Sequence, residues 1–397
     1  MFINQILLLL LSLAVIGEGN SQTCVVPAGG SESIDDAPAI LQAFDECGHG
    51  GKVMFQNTTY HVNSVMNTSA LQDCEIDIQG TLLWGTNITY FLNHSLPVGY
   101  QNQSTAWILG GDNIKVDGHG YGTLNGNGDA WYDFIAGASN YPGRPHALTV
   151  ANSTNFSFRG VHFIRSQMWS LSIIYTQNAL FDSVYVNNTA SSGSQEVNTD
   201  GADTIYSSQI TFSNWIIDNG DDGLSMKANS TDIYMYNCTL YHGSGLAMGS
   251  IGQYNGVYET IQRVYAKNII CYETLHAVYF KTWTGEQVGY PPNGGGGGLG
   301  IASDMIFEGM KISNLRGPPL AISQCTTFSG ASGNCTSSKF LISDITFNSI
   351  SGTTASTADV ASFQCSAVEP CSNLKIDDMD VTVASNSSQA DQYLCGT

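Results

Sequence analysis

The chain has 397 residues, of which 33 are Asp or Glu and 13 are Lys or Arg, giving a formal net charge of −20. Nucleic acid and an anionic membrane are excluded as partners, because both repel such a surface. The length admits two domains on ordinary priors, but the repeat described below makes residues 22–397 one.

Residues 1–21 carry an apolar run from Ile6 to Ile16 followed by small residues near Gly19, which reads as a secretory signal peptide. Ten cysteines and twelve Asn-x-Ser/Thr sequons fit an oxidising, glycosylating export route, so the expected location is extracellular. The close pairs Cys325/Cys335 and Cys365/Cys371 are expected to be local staples, and one sequence does not fix the partners of the other six. No Cys-x-x-Cys or His-Cys spacing reads as a metal site.

Asp35 and Asp36 followed by Pro38 and apolar residues at Ile40, Leu41 and Phe44 predict a short capped helix, suited to plug the open end of a stack. From Lys52 onward the pattern is all-β. The clearest strands are Leu148–Val150, Phe156–Phe163, Leu171–Tyr175, Phe181–Val186, Ile210–Ile217, Ile233–Leu240 and Ile261–Cys271, short runs rich in Val, Ile, Phe and Tyr and broken by Gly, Asn and Ser. Asn155/Asn178 and Asn214/Asn237 stand 23 residues apart beside strands, which favours parallel stacking over an antiparallel sandwich. Two stretches break the rhythm. Gly118–Pro145 holds Trp131, Tyr132, Phe134 and Tyr141, and Thr282–Gly300 holds Pro291-Pro292-Asn293 and five consecutive glycines; both are expected to be loops that shape a binding site. The aromatics of the first are there to stack on sugar or to fasten the loop.

Around residue 200 an acidic, glycine-punctuated theme recurs. Asp200 in Asn198-Thr199-Asp200-Gly201, Asp222 in Asp218-Asn219-Gly220-Asp221-Asp222-Gly223 and Ser244 in His242-Gly243-Ser244-Gly245 are each 22 residues apart. That step fits one coil of a parallel β-solenoid. Coils stack about 4.8 Å apart, so carboxylates one coil apart converge. The Asp218–Gly223 run is not a calcium loop, because Gly220 falls at a liganding position and no Glu closes it at the twelfth place.

Asn198-Thr199-Asp200, Asp221-Asp222 and Lys281 resemble, in order and spacing, the signature of glycoside hydrolase family 28, the polygalacturonases and related pectin hydrolases. That pattern runs N-T-D, D-D, G-H-G and R-I-K. The resemblance covers nearly the whole chain after the signal segment. It implies a right-handed parallel β-helix and inverting hydrolysis of a pectic polysaccharide by a monomer, with no metal or cofactor. Carried over, Asp221 is the general acid and Asp200 and Asp222 activate water. Inversion needs acid and base about 6.5–9.5 Å apart with water between, and crowded carboxylates cannot all ionise freely.

Two positions depart from the family. Ser244 stands where the family has His, with His242 two residues earlier as a candidate substitute, and Tyr279 in Val278-Tyr279-Phe280-Lys281-Thr282-Trp283 stands where it has Arg. Asn198, Ser244, His242, Tyr279 and Lys281 are therefore the expected substrate-binding positions. Loss of the arginine fork leaves Lys281 alone to grip a carboxylate, which suits a chain in which one flanking sugar is neutral, as rhamnose is in rhamnogalacturonan. The expected function is exo-acting release of terminal rhamnose or galacturonic acid, with rhamnogalacturonan favoured. Ser250-Ile251-Gly252-Gln253-Tyr254 and the long loops look like those of exo-acting fungal relatives. The alternatives are an ordinary exo-galacturonidase, a non-catalytic pectin-binding protein and a lyase, the last disfavoured by the scarcity of Lys and Arg.

Overall fold

A computed structural model describes residues 22–289, 294–327 and 333–396. Residues 1–21, expected from sequence to be a signal peptide, and Pro291-Pro292-Asn293 lie outside the described residues. The chain winds as a parallel β-helix. One face is a ladder of the strands Leu148–Ala151, Leu171–Ile174, Ala202–Ile205, Asp222–Met226, Gly245–Ile251, Val278–Trp283, Leu320–Thr326 and Asp359–Gln364, each parallel to the next. A second face stacks Thr154–Ile164, Gln177–Asp182, Ser208–Ser213, Ser230–Tyr236 and Tyr258–Lys267 in the same way. Among the described residues, antiparallel pairing of strands is confined to Leu96–Pro97 with Ser104–Thr105.

Alternation along each strand sends apolar side chains inward, where like stacks on like from coil to coil. Phe181 stacks on Phe212 at 5.7 Å, and Phe307 on Phe347 at 5.5 Å. The asparagines identified from spacing form rungs at the corners. Asn178 Nδ2 donates to Asn155 Oδ1 at 2.7 Å, Asn237 to Asn214 at 3.3 Å, and Asn268 to Asn237 at 3.3 Å. All five have φ between 54° and 58°, a left-handed conformation that Asn tolerates better than other side chains.

The predicted plug is α1, Ala37–Cys47, which buries Ala37, Ile40, Ala43 and Phe44 over the first coil and is tied to Cys24 through Cys47. Its N-terminal chemistry differs from expectation. Asp36 gives its carboxylate to the amides of Gly29 and His61, while Asp35 Oδ1 accepts from Ala37 N at 3.1 Å. Cys325–Cys335 and Cys365–Cys371 are disulfides as expected from their spacing. Cys74, Cys238, Cys271 and Cys395 are free.

Gly118–Pro145 is not a plain loop. It contains the end of the strand Trp107–Asn125 and a helix, Asp129–Ile135, and a further helix, Ile88–His94, precedes it. Trp131 and Tyr132 are buried, and Tyr132 Oη donates to Ser166 O at 2.8 Å, so these aromatics fasten the excursion to the body. Leu96–Pro97, Ser104–Thr105 and Pro145–His146 form a small sheet of their own in the insertion that follows the helix Ile88–His94. Val98 and Tyr100 of this insertion pack on Ile174, Ile205 and Ala228 at the ends of the first-face strands.

Candidate active site

The first face positions the site. Its register aligns Ser172, Asp203, Ser225, Ala247 and Tyr279 in one row and places Gly249 beside Lys281. Strand alternation turns this row outward, because Ala202, Leu224, Leu246 and Val278 of the neighbouring row lie in the core. Asp200 and Asp221 lie just before the strands, and Asp222 opens the strand Asp222–Met226. Gly201 N donates to Asp222 O at 3.0 Å and Ser244 N to Asp221 O at 2.7 Å, which locks the three turns one above another.

One oxygen from each of Asp200, Asp221 and Asp222 lies within 4.8 Å of the others, a closer approach than the ~6.5–9.5 Å expected of an inverting acid and base, so inversion rests on the family resemblance and not on this spacing. Asp200 and Asp222 are buried, and Asp221 alone is half-exposed. Asp221 Oδ2 accepts from Asn198 N at 3.0 Å and from Asn198 Nδ2 at 3.4 Å, and its Oδ1 accepts from Asp222 N at 2.9 Å. Asp222 accepts from Tyr279 Oη at 2.5 Å and from Lys281 Nζ at 3.4 Å. Asn198, Tyr279 and Lys281 are thus brought to the carboxylates.

Burial, reinforced by the neighbouring carboxylates, raises Asp200 well above the usual carboxylate range and raises Asp221 as well. A fourth acid, Asp203, is pushed up to about 7 by burial, although Lys227 Nζ, 3.1 Å away, opposes the rise. Such a set holds protons at mildly acidic pH and titrates as one unit. Burial and Asp222 keep the Tyr279 phenol protonated, so it is a donor to Asp222. Burial works against the charge on Lys281, but Asp222, Asp221 and Asp200 outweigh it and hold the ammonium charged. The three clustered carboxylates also have the spacing of a cation site.

The two histidine candidates separate. His242 is exposed and outside the cluster, with Nδ1 2.7 Å from Asp218 Oδ1 and Nε2 3.9 Å from Glu273 Oε2. It lines a cavity of about 450 Å³ with Glu196, Val197, Asp218, Asn219, Gly220 and Arg316. Ser244 lies under the cluster through its backbone. Sequence reasoning missed His276, whose amide donates to Ser244 O at 3.2 Å and whose ring packs 5.4 Å from the ring of Tyr279. Burial lowers its pKa, so it is neutral; Nδ1, 2.7 Å from Pro318 O, carries the proton. The 32 residues between Ser244 and His276 hid this stacking from a search at a step of 22. Also missed were Asp203, Lys227 and Arg144, all buried beside the cluster.

The profile described as Glycosyl hydrolases family 28 matches residues 56–394. The chain is 61% identical over 379 residues to an Aspergillus niger protein named alpha-L-rhamnosidase rgxB, with 95% of this chain and 88% of that protein aligned. It is 35% identical to a putative galacturan 1,4-alpha-galacturonidase A of Aspergillus niger, over 92% of this chain and 89% of that one. In three dimensions it resembles the crystal structure of endo-xylogalacturonan hydrolase from Aspergillus tubingensis, with a TM-score of 0.79, 25% identity and coverage of 94% and 95%.

Proposed function

The chain belongs to glycosyl hydrolase family 28, and from that premise we propose that it is a secreted, monomeric, exo-acting inverting hydrolase that removes terminal rhamnose from rhamnogalacturonan. The observation that carries this reading is the meeting of Asp200, Asp221 and Asp222 within 4.8 Å beside Lys281, with Tyr279 at the position where the family has arginine. Lys281 is a single anion contact, enough for one acidic sugar on one side of the scissile bond. The relative named as an alpha-L-rhamnosidase supports rhamnose as the sugar released.

Asp221 takes the role of general acid. It is the half-exposed member of the three, so its raised carboxyl can meet the leaving oxygen, and the amides of Asn198 and Asp222 aim it. Of the two residues expected to activate water, Asp222, paired with Lys281, takes its proton, and Asp200, which burial holds protonated, orients it by a hydrogen bond. Tyr279 Oη and Lys281 Nζ fix the orientation of Asp222. The proton that leaves water for Asp222 balances the one that Asp221 gives to the leaving sugar. Exo action requires a closed end, and the insertion carrying Val98 and Tyr100, which packs on Ile174, Ile205 and Ala228 of the coils around Asp200, is the proposed wall.

The test is product analysis with wild type and Asp221→Asn on rhamnogalacturonan and homogalacturonan. Free rhamnose from the first, abolished in the variant, is the expected result. Galacturonic acid from homogalacturonan with no rhamnose would replace this reading with an exo-galacturonidase, and binding without release by either form would make the protein a pectin-binding one.

A further inference from the structure

A cavity of about 620 Å³ lies between the insertion and the ends of the first-face strands, lined among others by Tyr100, Asn102, Gln103, Ser104, Tyr206 and Tyr254. It is not part of the acid cluster. Tyr206 follows the strand Ala202–Ile205 and Tyr254 follows Gly245–Ile251, whereas Asp200 and Asp221 precede strands of the same ladder. The cavity and the acids therefore stand at opposite ends of the first face, separated by up to about 20 Å of extended chain between Asp200 and Tyr206. None of the lining residues carries a charge.

Its walls are aromatic and fixed. Tyr100 packs edge-on against Tyr206 at 5.7 Å and against Tyr254 at 5.8 Å, and Tyr206 stacks at 5.0 Å on Tyr175, which is exposed. Tyr254 Oη accepts from Gln101 N at 3.0 Å, and Tyr100 Oη accepts from Gln253 Nε2 at 3.1 Å, so hydrogen bonds join insertion and coil across the cavity. Ring surface set among amides and hydroxyls can take both the C–H faces and the hydroxyls of a sugar. The volume falls in the roughly 300–1,000 Å³ range of small-molecule sites, and an uncharged lining suits an uncharged guest.

The sequence supplies a guest. Asn102-Gln103-Ser104 is an Asn-x-Ser sequon, and all three of its residues line the cavity. Asn102 is exposed, and its side-chain amide has no partner among the described residues. Other sequon asparagines spend that nitrogen on the fold: Asn155 Nδ2 donates to Asp112 Oδ1 at 3.3 Å, Asn187 Nδ2 to Tyr185 Oη at 3.1 Å and Asn237 Nδ2 to Asn214 Oδ1 at 3.3 Å. Asn237 also lines a cavity, of about 280 Å³, but its nitrogen is committed to that rung. We propose that Asn102 carries an N-linked glycan and that the cavity seats its first N-acetylhexosamines, clamping the insertion to the coils of Tyr206 and Tyr254. The modification is made on the unfolded chain during export: C1 of a lipid-pyrophosphate-linked oligosaccharide breaks its bond to the phosphate oxygen and bonds Nδ2, whose proton goes to the released lipid pyrophosphate. Folding then closes the tyrosines around the sugars. This inference rests on the proposed secretion and is independent of which bond the enzyme cleaves.

The test is digestion of the native protein with endoglycosidase H, which cuts between the first two N-acetylglucosamines, read site by site by glycopeptide mass spectrometry. The chain is secreted from a yeast host behind its own residues 1–21 and, in parallel, behind a heterologous leader. The expected result is an occupied Asn102 whose glycan stays uncut in the native protein, while glycans at exposed sequons such as Asn57 and Asn386 are trimmed, and trimming at every site after denaturation. Tyr206→Leu, which keeps apolar bulk but removes the ring, should open the Asn102 glycan to native trimming; if that variant is not secreted, the wild-type comparison decides alone. An empty Asn102, or a glycan there trimmed as readily as the others, overturns the seat and leaves secretion standing. Export only behind the heterologous leader, with Asn102 occupied and protected, overturns the secretory reading of residues 1–21 and keeps the seat. An empty Asn102 in a protein whose melting temperature is raised by a neutral galacto-oligosaccharide gives the cavity to a free sugar chain and likewise overturns the seat.

Discussion

Tyr279 shows how much one side chain changes at the same backbone position. From sequence it is a lost anion contact; in place it donates to Asp222 at 2.5 Å and shares that carboxylate with Lys281. Tyr279→Phe removes only the hydroxyl, and a hydrogen bond to a charged group contributes about 1.5–3 kcal/mol. A fall in kcat of roughly 10- to 100-fold with little change in KM is expected from steady-state kinetics. Lys281→Met should do the reverse for an acidic leaving sugar, raising KM more than it lowers kcat. The carboxylate cluster makes a further prediction. The proposed chemistry is proton transfer among side chains with Lys281 as counter-charge, so rhamnose release after exhaustive EDTA treatment and dialysis should equal that of untreated enzyme. A loss that added calcium restores would convert the three carboxylates into a cation site.

At the scale of elements, the corner asparagines do two jobs: they adopt φ near 55° and they bond to the next coil. Asn214 accepts from Asn237 and donates to Asp182 Oδ1 at 2.8 Å. Asn214→Ala should destabilise by about 1–3 kcal/mol through the lost bonds and the strained φ, read in denaturant unfolding, with kcat/KM unchanged because this corner lies on the second face. These rungs and the acid triplet were legible because each depends on a constant step between adjacent coils, and the capping helix because Asp35, Asp36, Pro38 and its apolar spacing mark a helix start. The 22-residue step holds from Asp203 to Ser225 and from Ser225 to Ala247, then lengthens to 32 at Tyr279 and 42 at Ala321. His276 falls beyond that change and was invisible. The helices Ile88–His94 and Asp129–Ile135 were read as irregular chain because their apolar faces are defined by the body they pack on. Arg144 reaches the cluster from a turn with no repeat of its own; the one hint was an arginine in a chain with so few.

Across the whole molecule, buried acids tie stability to pH. Asp203 and Glu259 are each pushed up to about 7, chiefly by burial, and Asp200 and Asp221 are raised too. A carboxyl whose pKa is higher folded than unfolded binds more protons in the native state. Its stabilising contribution is complete below the unfolded value near 4 and is lost as pH rises through the folded value. The melting temperature should therefore fall between about pH 4 and pH 7, and the net charge of −20 adds self-repulsion in the same direction. Glu259 separates the two causes. It accepts from Gly252 N at 3.0 Å through Oε2 and takes no part in the proposed chemistry. Glu259→Gln keeps an acceptor and cannot ionise, so its melting temperature should fall less steeply over this range than that of the wild type, with rhamnose release at pH 5 unchanged. Parallel curves for the two proteins would take Glu259 out of the pH dependence and leave it to the other buried acids and surface charge.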